Sequence, residues 1–283
     1  MSGRIATVAV VSTGTMGQGI AQVCAASGYN TKIYDVTPAL ANKAIDNISQ
    51  GLAQLVAKGK VTEETRANTL SRLSTTSQLA DLKVDVVIEA IVEKLDIKQK
   101  LFAELEAINL GKAILATNTS SIPVTQIASV LKNPQQCVGL HFFNPAPLMK
   151  LVEVISGVAT SNDVAEEMKI FSASLQKTAV MVKDSPGFIV NRVARHYYVE
   201  ALKLLEEGVA THEQIDRLMK SAGFKMGPFE LMDLIGMDVN FAVTSSLYHS
   251  FHQEPRFRPS RIQEQKVMAQ QLGRKTGKGF YEY

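Results

Sequence analysis

The sequence predicts an α/β domain with a mostly parallel sheet, followed by an all-helical C-terminal domain. Three observations carry this. Short apolar or β-branched runs alternate with helix-periodic segments through the first half of the chain, as in a parallel sheet wrapped by helices. One such run, Val84–Glu89, is built around an apolar centre that suits a strand buried on both faces. Beyond the turn-rich Asp184-Ser185-Pro186-Gly187, strand signals nearly vanish. The boundary is therefore placed near Asp184, giving domains of residues 1–184 and 185–283.

Each element follows from its local pattern. Thr7–Val11 is short and β-branched, and reads as the first strand. Gly14–Ser27 places Met16, Ile20, Val23 and Cys24 at helical spacing, and Gly28 can end that helix. Thr31–Tyr34 is a second strand ending at Asp35, and Pro38–Lys58 a long helix with Pro38 in its first turn. Val84–Glu89, Ala113–Thr117 and Cys137–His141 are further strands, with a helix over Glu93–Ala107. Leu151–Ile155 is another apolar strand. In the second domain Phe188–Glu207 carries apolar residues mostly at three- and four-residue steps. Helix-like blocks continue over His212–Ala222, Phe229–Leu234, Val239–Phe251 and Ser260–Leu272. There is no internal repeat and no low-complexity run.

Composition narrows the function classes. With 283 residues, 46% hydrophobic and 20% charged, the chain can bury a large core and is not a disordered segment. A net charge of +3 is too mild to imply a nucleic-acid partner. The two cysteines, Cys24 and Cys137, exclude a disulfide scaffold or a four-cysteine metal site, and they suit a reducing cytoplasm. The run from Met1 to Val8 lacks a signal-peptide pattern, and no apolar stretch reaches 18 residues, so no membrane span is expected. His196, His212, His249 and His252 show no ligand spacing, and no metal site is expected.

The first strand and helix frame Ser12-Thr13-Gly14-Thr15-Met16-Gly17. A dinucleotide fingerprint needs G-x-G-x-x-G at this point, for a tight turn, close approach of a pyrophosphate and close helix–strand packing. Gly14 and Gly17 supply the second and third glycines, and Ser12 stands in place of the first. By itself the partial motif also fits an ordinary strand–turn–helix. Asp35 shifts the balance toward a Rossmann-type dinucleotide site. It lies 23 residues after Ser12, at the end of the second strand, where a carboxylate can accept from both ribose hydroxyls of NAD and repel a 2′-phosphate.

A second constellation is His141 with Glu153. His141 ends a strand, and Glu153 sits inside Leu151-Val152-Glu153-Val154-Ile155, where an unpaired carboxylate is costly. The turn residues Asn144–Pro147 separate the two, so the strands can meet. A histidine oriented by a carboxylate is equipped as a general base near neutral pH. Spacing alone equally allows a satisfied core histidine with Glu153 at a sheet edge.

Several blocks together resemble the L-3-hydroxyacyl-CoA dehydrogenase family. They are Thr117-Asn118-Thr119-Ser120-Ser121, Gly139-Leu140-His141-Phe142-Phe143-Asn144-Pro145, Met149-Lys150-Leu151-Val152-Glu153-Val154, Pro186-Gly187-Phe188-Ile189-Val190-Asn191-Arg192 and Met226-Gly227-Pro228-Phe229-Glu230-Leu231. The ending Lys275-Thr276-Gly277-Lys278-Gly279-Phe280-Tyr281 belongs with them. The resemblance spans nearly the whole chain, in order. The later stretch, from Asp233-Leu234-Ile235-Gly236 through Arg256-Phe257-Arg258-Pro259-Ser260, is further similar to members acting on 3-hydroxyadipyl-CoA, where others act on 3-hydroxybutyryl-CoA.

The resemblance implies an NAD-binding first domain, a helical second domain for substrate and dimerisation, and NAD-dependent oxidation of a (3S)-3-hydroxyacyl-CoA. It makes His141 the base, Glu153 its orienting partner, and Ser120 and Asn191 hydrogen-bond donors to the reacting oxygens. Ser12, Gly14, Thr15, Met16 and Gly17 would form the cofactor loop. Asp35, Glu93, Lys98, Asn118, Asn144 and Lys275 match positions that face the cofactor. The CoA tail would pass Lys58. Arg195, one turn after Asn191 on the same helix face, could meet a distal carboxylate of the acyl chain, or else be paired within its own domain or across a dimer. A homodimer is implied, with no nucleic-acid or membrane partner. Two other readings stand beside this one: a dinucleotide-binding protein without turnover, and a dehydrogenase of a non-CoA 3-hydroxy acid.

Overall fold

Alternating apolar strands and amphipathic helices become a single twisted sheet covered by helices, followed by a run of helices. The computed structural model describes residues 5–283, so the opening Met1–Arg4 of the N-terminal stretch lies outside the described residues. The chain falls into two compact units, one ending at Ser185 and one starting at Pro186.

The first unit runs β1 (Thr7–Val11), α1 (Thr15–Ala26), β2 (Asn30–Tyr34), α2 (Pro38–Ala57), α3 (Glu63–Ser71), β3 (Leu73–Thr76), β4 (Val86–Glu89) and α4 (Leu95–Ile108). It continues β5 (Ile114–Thr117), α5 (Val124–Ala128), β6 (Cys137–Phe142), β7 (Leu151–Ser156), α6 (Asn162–Ser174) and β8 (Thr178–Lys183). The strands form one sheet in the order β3-β2-β1-β4-β5-β6-β7-β8. All neighbours are parallel except β6 and β7, which pair antiparallel. The order reverses direction beside β1, and in such sheets ligands bind at the carboxyl ends of the strands next to that switch. Val8, Val10, Ile33, Val86, Ile88, Ala116 and Leu140 are fully buried within it, as expected of strands covered on both faces.

The second unit is helical: α7 (Val190–Glu206), α8 (His212–Ser221), α9 (Pro228–Ile235), α10 (Met237–Ser250) and α11 (Arg261–Met268). Its core gathers Tyr198, Leu202, Ile215, Phe229, Met232 and Met237. Two buried aspartates tie it together. Asp216 accepts from the Phe229 and Glu230 N–H groups at 2.9 and 2.8 Å, at the start of α9. Asp233 accepts from the Phe280 and Tyr281 N–H groups at 3.0 and 2.9 Å and so staples the C-terminal residues to α9.

The differences from the sequence expectations have local causes. Helix α7 starts at Val190 and not at Phe188, because Gly187 and Phe188 have φ of 72° and 51°, outside the right-handed helical region. Helix α11 stops at Met268, short of Leu272, and Gln270 has φ 55°. Five elements were not anticipated: α3, β3, α5, α6 and β8. Helices α3 and α6 begin at caps, where Thr62 accepts from Thr65 N–H and Ser161 from Val164 N–H. Strands β3 and β8 are the sheet edges. Strand β3 is Leu-Ser-Thr-Thr, with no fully buried residue and no apolar pattern, whereas β8 carries the apolar run Ala179–Val182, a strand signal that the sequence expectations passed over. No described helix is long and apolar enough to cross a membrane.

Candidate active site

Most residues singled out in the first unit lie at or just beyond the carboxyl ends of its parallel strands, whereas Glu153 lies inside β7, Lys98 in α4 and Lys58 at the end of α2. The loop after β1 holds Ser12 to Gly14, and Gly14 is the N-cap of α1. A Cβ on Gly17 would collide with the Ser12 carbonyl oxygen, so only glycine lets the first turn of α1 lie against that loop. No side chain caps α1 and no acidic residue sits in its first turn. Its leading N–H groups and positive dipole end therefore suit an anion. The Ser12 hydroxyl accepts from the Gly14 N–H at 3.1 Å.

Asp35 follows β2. Its Oδ2 accepts from the Thr13 hydroxyl at 2.5 Å and its Oδ1 from the Thr37 N–H at 2.9 Å. The carboxylate is thus held beside the glycine-containing loop, and Thr13 is a partner that the motif search did not single out. These features fit a dinucleotide: uncapped amides for a pyrophosphate, and a fixed carboxylate for a ribose.

Neighbouring loops are pinned to one another. Ala90 N–H donates to the Val11 carbonyl and Asn118 N–H to the Glu89 carbonyl, at 3.1 and 2.8 Å. The Asn118 side chain accepts from Phe142 N–H at 2.8 Å, next to His141. Glu93 accepts from the hydroxyl of Thr119 at 2.5 Å and from the N–H of Ser120 at 3.0 Å. Burial by itself would raise the Glu93 pKa, but Lys98 and the donors from Thr119, Ser121 and Ser120 outweigh it and leave it lowered. Lys98 departs from the expectation of a cofactor-facing ammonium. It is 1% exposed and enclosed by Glu89 and Glu93, because it lies on the buried face of α4 with Phe102 and Leu105.

His141 and Glu153 stand directly opposite each other on β6 and β7. Nδ1 of His141 and Oε2 of Glu153 are 2.7 Å apart, with the residues 6% and 1% exposed. An ionised carboxylate only accepts, so it holds the hydrogen on Nδ1 and makes Nε2 the acceptor nitrogen of the ring. The antiparallel turn-back of β7 is what converts a strand glutamate into the partner of a strand histidine. Asn144 is exposed in the loop after β6, Ser120 is half-buried, and Lys58 is exposed at the end of α2.

In the second unit Asn191 is half-buried in the first turn of α7. Lys275 pairs with Asp238 at 2.5 Å. Arg195 departs from the expectation of a carboxylate reader. It is 3% exposed, and its Nη1 donates to the Asn240 carbonyl and the Thr244 hydroxyl at 3.1 and 3.0 Å. Arg195 lies on the buried stripe of α7 with Tyr198, Val199 and Leu202, so its side chain enters the helical core. Burial pulls its pKa down to about 10. These partners lie in its own domain, as the alternative reading allowed, and are a carbonyl and a hydroxyl.

Glu89 is the site-forming residue that motif reading missed. The same signal that marks Glu153, a carboxylate closing an apolar strand, was available in Val86-Val87-Ile88-Glu89.

Residues 7–185 match the 3-hydroxyacyl-CoA dehydrogenase NAD binding domain, and residues 187–283 match the C-terminal domain of the same family. The chain is 49% identical over 282 residues to a 3-hydroxyadipyl-CoA dehydrogenase of Escherichia coli, covering 99% of this chain and 59% of that protein. It is 43% identical to a 3-hydroxybutyryl-CoA dehydrogenase of Clostridioides difficile, covering 98% of this chain and 99% of that one. Among solved structures, an (S)-3-hydroxybutyryl-CoA dehydrogenase from Ralstonia eutropha superposes with a TM-score of 0.95 at 41% identity, covering 99% of both chains.

Proposed function

This chain belongs to the 3-hydroxyacyl-CoA dehydrogenase family, and from that membership we propose that it oxidises the 3-hydroxyl of a (3S)-3-hydroxyacyl-CoA to the 3-oxo ester, with His141 as the base. The observation that carries the reading is the buried His141–Glu153 pair, with His141 near the carboxyl end of β6, a strand parallel to the β1 strand whose carboxyl end leads into the glycine-containing loop. NAD, held by the loop after β1 and by Asp35, supplies the hydride acceptor. The chain's own residues do the rest. His141 Nε2 takes the hydroxyl proton as C3 is oxidised, and Glu153 stabilises the imidazolium that results. Ser120 and Asn191 donate to the reacting oxygens, where neutral donors suit partial negative charge. Lys58 meets the CoA tail.

The substrate is 3-hydroxyadipyl-CoA or 3-hydroxybutyryl-CoA. NADH formation with a panel of 3-hydroxyacyl-CoA esters tests this. Turnover of neither ester would leave cofactor binding without dehydrogenation. Equal turnover of thioesters of a short thiol would point to a non-CoA substrate.

Ser12 supports a specific expectation. Its hydroxyl already occupies the Gly14 N–H, which a pyrophosphate would otherwise use, and its Cβ adds bulk to the turn. Ser12→Gly should tighten NAD roughly two- to tenfold, the worth of one ordinary hydrogen bond, with the fold unchanged. Isothermal titration of wild type, Ser12→Gly and Ser12→Ala separates the two effects: tightening in both variants identifies the hydroxyl, and tightening in the glycine variant alone identifies the bulk. Weaker NAD binding by Ser12→Gly would make the hydroxyl a phosphate ligand.

The protein acts as a homodimer built through the helical unit. Val193, Leu218 and Leu234 are large apolar residues of that unit at 67%, 66% and 48% exposure, which supports an interface there. Light scattering at micromolar concentration should give twice the chain mass, and a monomer would refute the dimer. Cys24 and Cys137 are free and buried, and burial raises both thiol pKa values, consistent with a cytoplasmic protein whose cysteines only pack.

A further inference from the structure

The loop that carries Ser120 is held from below by a chain of three charges. Glu93 Oε1 accepts from the Ser120 and Ser121 N–H groups at 3.0 and 3.2 Å, and from the Ser121 hydroxyl at 2.9 Å. Its other oxygen lies 3.2 Å from Lys98 Nζ. Lys98 Nζ is in turn 2.5 Å from Glu89 Oε1, and these two side chains are 1% and 0% exposed. Glu89 has two more donors: the Ile91 N–H at 2.7 Å and the Thr117 hydroxyl at 2.8 Å.

The arrangement is costly as a mere support. Taking a carboxylate and an ammonium out of water carries a large desolvation cost before their attraction is counted, and an apolar pair of similar volume is often as stable. What charge adds here is direction. Glu89 joins the end of β5 to the start of the segment that carries Glu93, while Glu93 gathers three successive residues of the loop after β5. The two carboxylates share one cation, so neither is placed independently of the other.

We infer that Glu89 is a positioning residue for Ser120, acting through Lys98 and Glu93. This rests on the reading of Ser120 as a donor to the substrate oxygen. Without the Glu89 charge, Lys98 has Glu93 as its sole carboxylate partner and draws it off the Ser120 and Ser121 amides; without Lys98 as well, Glu93 loses the cation that fixes its second oxygen and turns away from them. The Ser120 hydroxyl then moves with its backbone, and a displacement of about 1 Å in a positioning group can cost on the order of 10² in rate.

The test is steady-state kinetics and melting of Glu89→Gln, Ser120→Ala and the double variant Glu89→Gln with Lys98→Met. The double variant removes both buried charges and so leaves no lone ammonium if the single variant fails to fold. The inference predicts that Glu89→Gln and the double variant lose roughly 10- to 100-fold in kcat, with KM for the acyl-CoA ester changed less than threefold. A melting temperature that falls while kcat stays within twofold of wild type, in either Glu89 variant, would overturn it as a purely structural pair. Impaired Ser120→Ala beside unimpaired Glu89 variants refutes the inference and leaves the reading of Ser120 standing. Wild-type turnover in Ser120→Ala refutes that reading, and the inference with it.

Discussion

Replacing Glu153 by glutamine is expected to lower kcat by a factor on the order of 10²–10⁴, the range for general acid–base assistance, while NAD binding stays nearly intact. Glutamine keeps an oxygen for the Nδ1 hydrogen of His141, so the orientation of the ring survives. It lacks the charge that stabilises imidazolium. Replacing His141 by alanine should abolish oxidation of the ester altogether. That variant also deprives a glutamate with 1% exposure of the imidazole 2.7 Å away, and removing one partner of a buried hydrogen bond costs about 1–3 kcal/mol, more for a charged group. His141→Gln therefore serves as the control: its amide can still donate to Glu153, so it should fold and bind NAD but not turn over. NADH formation under single-turnover conditions, with the melting temperature of each variant, checks both residues. Wild-type turnover in any of the three would falsify the paired base.

Removing the Asp35 carboxylate is the other large expected effect. Asp35→Ala should raise the Kd for NAD roughly 10- to 100-fold, as expected for losing hydrogen bonds to a charged group. It also frees the Thr13 hydroxyl and the Thr37 N–H, so the loop loses its internal brace together with its ribose acceptor. Asp35→Asn separates the two roles. It keeps an oxygen for Thr13 but drops the charge that repels a 2′-phosphate, so the preference for NAD over NADP should shrink while NAD itself is held better than in the alanine variant. The residues that follow, Val36 and Thr37, cannot neutralise a 2′-phosphate. Comparable catalytic efficiency of wild type with both cofactors would contradict the assignment. Calorimetric titration and kcat/KM with each cofactor provide the measurements.

Much of the fold was legible in the sequence. The strands at the centre of the sheet are continuous apolar runs because both of their faces are covered. The long helices α2 and α7 show their buried stripes at three- and four-residue spacing. The edge strand β3 and the cap-started helices α3 and α6 were not legible, whereas the Ala179–Val182 run of β8 was legible and was passed over. An edge strand buries little, and a polar helix such as α3 forms through its cap and its packing on α2, neither of which produces a periodic apolar signal.

For the candidate site, the sequence by itself determined the chemistry-bearing residues: Gly14, Gly17 and Asp35 from a spacing with a mechanical reason, and His141 and Glu153 from a carboxylate that an apolar strand could not tolerate alone. Tertiary structure decided who meets whom. It set His141 opposite Glu153, twelve residues on, because register between strands depends on the antiparallel return of β7 and not on either strand alone. It turned Arg195 into the helical core and buried Lys98 between Glu89 and Glu93. A long cationic side chain reaches interior or edge equally well from the same backbone position, so only the neighbours packed around it decide whether its charge faces a ligand or another residue.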